Sequence, residues 1–214
     1  MLRGVFITFE GSEGCGKSTQ VLRLATRLEQ AGVPVLVTRE PGGTAIGEKV
    51  RDLLQFAPES FGMTPETEVL LFEASRSQLV RETILPALEK GTVVISDRFF
   101  DSTTAYQGAA RALDRETVER LNAFAAGDCI PDVTFVLDID ATSAKSRMQE
   151  PRRQDRMEQE PDEFYERVRQ AYRDLAIRES NRVVLINGAR NADEIENEIW
   201  KTLCSRFPNL NTRT

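Results

Sequence analysis

The chain has 214 residues, 40% of them hydrophobic and 29% charged, with a formal net charge of −6 at pH 7. That balance suits one soluble domain with a substantial core and argues against a broad nucleic-acid footprint. Histidine is absent, which excludes a Ser-His-Asp triad, a Cys-His pair and any histidine metal site, and leaves the chemistry to Lys, Arg, carboxylates, backbone N–H groups and a borrowed metal. The three cysteines, Cys15, Cys129 and Cys204, are scattered; this predicts no disulfide framework and a reducing cytoplasm. No apolar run approaches the ~18 residues that span a bilayer, and the first apolar segment is too short for a secretory leader.

The first predicted strand, Val5-Phe6-Ile7-Thr8-Phe9, is apolar and β-branched. It leads into Gly11-Ser12-Glu13-Gly14-Cys15-Gly16-Lys17-Ser18, a complete G-x-x-x-x-G-K-S phosphate loop. Val21, Leu22, Leu24, Ala25 and Leu28 then recur at helical spacing. Strand, glycine loop and helix are the context this motif needs: backbone N–H groups wrap a phosphate, the helix offers its positive end, Lys17 reaches the β- and γ-phosphates and the Ser18 hydroxyl meets Mg²⁺. Cys15, beside a helix N-terminus, reads either as a reactive thiol that ATP would protect or as a small residue filling a tight loop.

Four more strands are predicted at 35–38, 93–96, 134–139 and 182–186. Helices are predicted over 44–55 with Thr44 as cap, from Pro65 to Gly91, over 114–126 stopped by Gly127, over 163–178 and over 193–203. Strands alternating with helices imply a parallel sheet covered on both faces, with ligands beyond the carboxyl ends of the strands. The chain therefore reads as a single domain over 1–214, with a polar, proline-bounded stretch at about 149–161 as a candidate lid.

The remaining motifs fall at the predicted strand ends. Asp97 closes an apolar run and is a candidate for Mg²⁺; Asp138 is its rival on the same grounds. Arg98 can clamp a phosphate or simply close the strand end by pairing with Asp97. Phe72 and Arg76, four residues apart, share a helix face and can clamp a base by stacking and hydrogen bonding; the alternative is a core phenylalanine beside a solvated arginine. Arg152, Arg153 and Arg156 place three cations in the candidate lid, either to meet a transferring phosphoryl group or as a solvated loop.

Taken together, these motifs closely resemble bacterial thymidylate kinases. The matching elements are F-E-G-S-E-G-C-G-K-S-T at 9–19, T-R-E-P-G-G-T at 38–44, L-F-E-A-S-R at 71–76, D-R-F at 97–99, S-T-T-A-Y-Q-G at 102–108, P-D-V-T at 131–134 and D-R-M-E at 155–158. The resemblance implies a three-layer P-loop NTPase fold with a five-stranded parallel sheet. It also implies ATP-dependent phosphorylation of dTMP to dTDP, Mg²⁺ as cofactor and a cytoplasmic homodimer. Residue by residue, it implies that Gly11 to Thr19 (Gly11, Ser12, Glu13, Gly14, Cys15, Gly16, Lys17, Ser18 and Thr19) hold ATP. Phe72 stacks on thymine and Arg76 bonds its O4. Thr103 and Gln107 approach the pyrimidine edge, and Tyr106 lies under the sugar and disfavours a 2′-hydroxyl. Arg98, Arg51 and Arg39 hold the acceptor phosphate. Glu10 and Glu40 lie near the acceptor phosphate and sugar, Pro41 shapes that wall, Arg153 is the lid cation, and Lys17, Arg98, Arg153 and Glu10 form the catalytic set. The lid departs from the family's R-G-x-x-D-R-x-E, with Pro151-Arg152-Arg153-Gln154 before Asp155-Arg156. The acceptor is a phosphate monoester with a second pKa of ~6, already nucleophilic at pH 7, so no catalytic base is needed. Three rivals are weighed: a kinase for dUMP, CMP or another monophosphate, a P-loop switch or transport ATPase, and an inactive relative. Neither N-K-x-D nor L-S-G-G-Q occurs, and Lys17, Ser18, Asp97 and Arg98 are all present.

Overall fold

The computed structural model describes residues 3–147 and 156–210. Five strands form one parallel sheet: β1 Phe6–Glu10, β2 Val35–Arg39, β3 Val93–Asp97, β4 Val133–Asp138 and β5 Val183–Asn187, in the order β2-β3-β1-β4-β5. The central strand sets the register, with Phe9 beside Asp97 on one side and Phe135 on the other. Every residue of β1 is buried, as a strand covered on both faces requires.

The nine α-helices among the described residues are α1 Lys17–Gln30, α2 Ala45–Gln55, α3 Pro65–Leu79, α4 Leu85–Glu89, α5 Phe100–Thr103, α6 Arg115–Ala126, α7 Ala141–Arg147, α8 Asp162–Arg178 and α9 Ala192–Arg206. Side-chain alternation along the strands divides the core. Ile7, Phe9, Ile95, Phe135 and Leu137 pack with Val21, Leu24 and Leu28 of α1 and Ile195 and Ile199 of α9. Phe6 and Val94 point the other way, to Leu79, Ile84 and Leu88. Val136, on that second face, meets Phe164, Val168 and Tyr172 of α8.

The predicted starts and stops are largely met. Thr44 caps α2 by accepting from the Gly47 N–H at 3.0 Å, Asp114 caps α6 through Thr117 N–H at 2.8 Å, and Gly127 closes α6 with φ 56. Three features differ from the sequence expectations. The long helix from Pro65 is interrupted by a π-helical segment, Val80–Ile84, before α4 resumes. Pro86 lacks an N–H and its ring would meet the carbonyl four residues back, and the wider turn just before it relieves both problems. The motif at 102–108, for which no element is predicted, is helical: α5 runs into a second π segment, Thr104–Ala110. Helix α7 has no counterpart in the sequence reading.

Candidate active site

A cavity of about 930 Å³ opens beyond the carboxyl ends of β1, β2 and β3. The phosphate loop forms one end. Gly11, at φ 134, passes so close to β4 that a Cβ there would lie 2.7 Å from the Leu137 carbonyl oxygen; only glycine fits. Lys17 is buried at the head of α1, and its ammonium donates to the Gly11 and Ser12 carbonyls at 3.1 and 2.8 Å. Burial and the Arg98 charge work to lower the Lys17 pKa, but Cys15, Glu13 and Asp97 outweigh them and hold it above the ordinary lysine value. The lysine is therefore a fixed cation at the loop.

Ser18 donates its hydroxyl to Asp97 Oδ2 at 2.7 Å. Asp138 is engaged elsewhere, by Arg169 at 2.7 Å and Arg173 at 2.8 Å. Of the two carboxylates weighed from the sequence, Asp97 is the one that stands with Ser18 at the loop.

The other end of the cavity is lined by Arg39, Glu40, Pro41, Arg51, Phe72, Arg98, Thr103, Tyr106 and Gln107. Phe72 stands where the base-clamp reading needs it, whereas the burial of Arg76 matches neither reading in full. Phe72 is half-buried on the cavity wall, whereas Arg76 is 1% exposed and lies behind it. Each of the five Arg76 N–H groups has a protein acceptor. Nε and Nη2 converge on Glu40 Oε2 at 2.9 and 2.7 Å, Nη1 meets Glu73 at 2.5 Å and Asn122 at 3.0 Å, and Nη2 also meets Thr103 at 3.0 Å. In this arrangement Arg76 ties the end of β2 to α3, α5 and α6, directly behind the wall that carries Phe72. Burial pushes the Glu40 carboxyl up to about 7 against the opposing pull of Arg76.

Arg98 adopts φ 74, in the left-handed region that a non-glycine residue rarely enters. Its guanidinium pairs with Glu13 of the phosphate loop, donates to Gly11 O at 3.0 Å and Ser102 Oγ at 3.1 Å, and lies 5.1 Å from the centre of the Tyr106 ring. Glu10 does not line the cavity. It accepts from Phe99 N–H at 2.8 Å, Ser102 at 2.6 Å and Tyr172 at 2.8 Å, and burial pushes its carboxyl up to about 7, with nearby Asp101 adding to the effect. Arg51 holds the Pro41 carbonyl at 3.0 Å, and Arg39 pairs with Glu48 at 2.9 Å.

The burial of Cys15 favours the reading of a small residue filling a tight loop over that of a reactive thiol. The side chain is 0% exposed within the α1 core cluster, and its Sγ accepts from Lys17 at 3.6 Å; a reagent cannot reach it without opening the loop. Arg152 and Arg153 lie outside the described residues. Arg156 is described, and it pairs with Glu68.

Several residues were not anticipated. Arg147, Arg190, Asn191 and Ile195 line the phosphate-loop end of the cavity, and Met157 and Ser102 line the other. Glu68, Glu73, Arg111, Asn122 and Tyr172 form a buried or half-buried polar layer behind the wall. Glu73, Ser102 and Met157 fall inside motifs that the sequence shows, but their roles, like those of the others, arise from contacts between distant segments.

The family model for thymidylate kinase matches residues 9–199. The chain is 47% identical over 197 residues to a thymidylate kinase of Fervidobacterium nodosum, covering 92% of this chain and 97% of that one. It is 44% identical over 206 residues to one of Deinococcus radiodurans, covering 96% and 99%. The crystal structure of thymidylate kinase from Ehrlichia chaffeensis superposes with a TM-score of 0.76 at 37% identity, covering 94% and 99%. With a phosphate loop and a second, base-sized wall sharing one cavity, and these matches running nearly end to end, the chain belongs to the thymidylate kinase family.

Proposed function

We propose that this cavity transfers the γ-phosphoryl group of ATP to the phosphate of dTMP, giving dTDP and ADP. The observation that carries the reading is the continuity of one cavity from the Lys17 loop to Phe72, Tyr106 and Gln107. Both nucleotides enter one space with their phosphates facing each other between Lys17 and Arg98.

ATP phosphates lie on the N–H groups of 11–19, with Lys17 turning from the Gly11 and Ser12 carbonyls to the β- and γ-oxygens. Ser18 and Asp97 are hard oxygen donors 2.7 Å apart, which fits Mg²⁺. That ion takes few protein ligands and fills the rest of its shell with water and substrate phosphate. When bound it neutralises charge on the β- and γ-phosphates. Arg98 leaves Glu13 for the acceptor phosphate, joined by Arg51 and Arg39. Phe72 stacks on thymine, Thr103 and Gln107 face its edge, and Tyr106 lies under the deoxyribose. Glu10 and Arg76 act from behind, holding Ser102 and Glu40 in place. Catalysis is alignment and charge neutralisation, with no proton to remove from the acceptor.

The enzyme works as a homodimer in the cytoplasm, where both substrates are found. Exposed Leu53, Phe61, Leu70 and Phe124 come from α2, the turn after it, α3 and α6, and they supply an apolar face for a second copy. Among the described residues no helix is long and apolar enough to cross a membrane.

The test is ADP release with Mg-ATP and dTMP, dUMP, CMP, UMP or no acceptor in separate reactions. Strong turnover with dTMP and weaker turnover with dUMP are expected; equal ADP release without acceptor would overturn the acceptor site.

A further inference from the structure

Glu68 of α3 is 1% exposed and is not part of the cavity lining, yet three side chains converge on it. Gln107 donates its amide nitrogen to Oε1 at 2.7 Å. Arg111 donates from Nε to Oε1 at 3.3 Å and from Nη2 to Oε2 at 3.2 Å, and Arg156 pairs with Oε2. Burial pushes the Glu68 carboxyl up, but the Gln107 hydrogen bond and the Arg156 and Arg111 charges outweigh it and hold the group below the ordinary glutamate value. At neutral pH Glu68 is therefore a carboxylate, able only to accept.

An amide facing an acceptor-only group has one permitted orientation. The Gln107 nitrogen must point at Glu68, and its carbonyl oxygen must point the other way. Gln107 lines the cavity, and no donor to its Oε1 occurs among the described residues. The face left for a ligand is an acceptor. Thymine and uracil present a ring N3–H between two carbonyls, which complements it. Cytosine presents a lone pair at N3, which would face the oxygen unpaired.

We propose that Glu68 is a specificity-positioning residue that locks the Gln107 amide so that its oxygen reads the N3–H of an imide base and rejects cytosine. The proposal rests on the dTMP kinase reading and adds to it the group that sets the direction of the base contact.

The experiment compares kcat/KM for dTMP and for dCMP in the wild-type enzyme and in Glu68→Gln. Glutamine at 68 can accept or donate, so both orientations of Gln107 become available. The dTMP-to-dCMP ratio should fall by about tenfold or more, with KM for ATP unchanged. An unchanged ratio, or equal losses for both substrates, would overturn the proposal and leave Glu68 as packing. Should Glu68→Gln fail to fold, NMR of the wild-type side-chain amides decides instead, with the Gln107 pair assigned by its loss in Gln107→Met. Those protons should stay hydrogen-bonded and unshifted when dTMP binds; protons that transfer to the nucleotide would overturn the proposal. A wild-type enzyme inactive on dTMP but active on another monophosphate overturns the dTMP reading itself, an outcome separate from any change in ratio.

Discussion

Arg76 holds Glu40 by two donors on a single oxygen, Nε at 2.9 Å and Nη2 at 2.7 Å from Oε2, with both side chains shut away from solvent. Its Nη1 reaches Glu73 as well, so one cation is the ion-pair partner of two buried carboxyl groups. Removing it would leave both without a partner. Arg76→Met should therefore destabilise the fold by about 3–5 kcal/mol, read by urea unfolding. Arg76→Lys should recover little of that, because an ammonium has three donors and cannot span four acceptor residues. A loss under about 1 kcal/mol for Arg76→Met would show that water or protonation replaces the arginine easily.

The pairing of Ser18 with Asp97 yields a prediction about the metal. Asp97→Asn should raise the Mg²⁺ concentration for half-maximal rate by about 10- to 100-fold. Asp138→Asn, whose wild-type carboxylate serves Arg169 and Arg173, should leave that concentration unchanged while lowering thermal stability. EDTA should abolish turnover, and excess Mg²⁺ should restore it. Equal metal dependence in the two variants would contradict the assignment of Asp97.

What the sequence made legible was local. The loop at 11–18 lies between its strand and helix within a few dozen residues, and the caps Thr44 and Asp114 act three residues away. Arg76 was not legible in the same way. Its acceptors Thr103, Glu40 and Asn122 lie 27, 36 and 46 residues off in sequence, and helical spacing alone places the side chain on a face without saying what covers that face. Glu68 was invisible for the same reason, since its partners come from 107, 111 and 156. The π segment at Thr104–Ala110 packs against α8, a contact between distant segments that local propensity does not encode.

The cysteines should separate cleanly by accessibility. Cys15 and Cys129 are fully buried, and Cys204 is half-buried on α9. A disulfide reagent such as dithiobisnitrobenzoate should titrate one thiol in the native protein and all three in denaturant, with catalysis intact after the first. Rapid native labelling of Cys15 with loss of activity would restore the reactive-loop reading and show that the phosphate loop opens readily.

Glu10 and Glu40 set a pH dependence of stability whose sign can be worked out. Each carboxyl is raised by burial to about 7 in the folded state from an ordinary 4.5. Between those values the folded protein binds protons that the unfolded chain releases. The stabilisation from each group is complete below about pH 4.5 and is lost as pH rises through about 7. Glu68 and Asp138, whose pKa values are lowered, act in the opposite sense, and their contribution fades as the solution becomes more acidic than their folded-state values. Unfolding free energy measured from pH 5 to 8 should therefore decline through this range. Glu10→Gln should reduce the slope while leaving the Glu40 part, because glutamine keeps an acceptor for the Phe99 N–H and has no proton to lose. A slope identical in wild type and Glu10→Gln would mean that Glu10 is ionised throughout, its charge carried by Ser102, Tyr172 and the nearby Arg98.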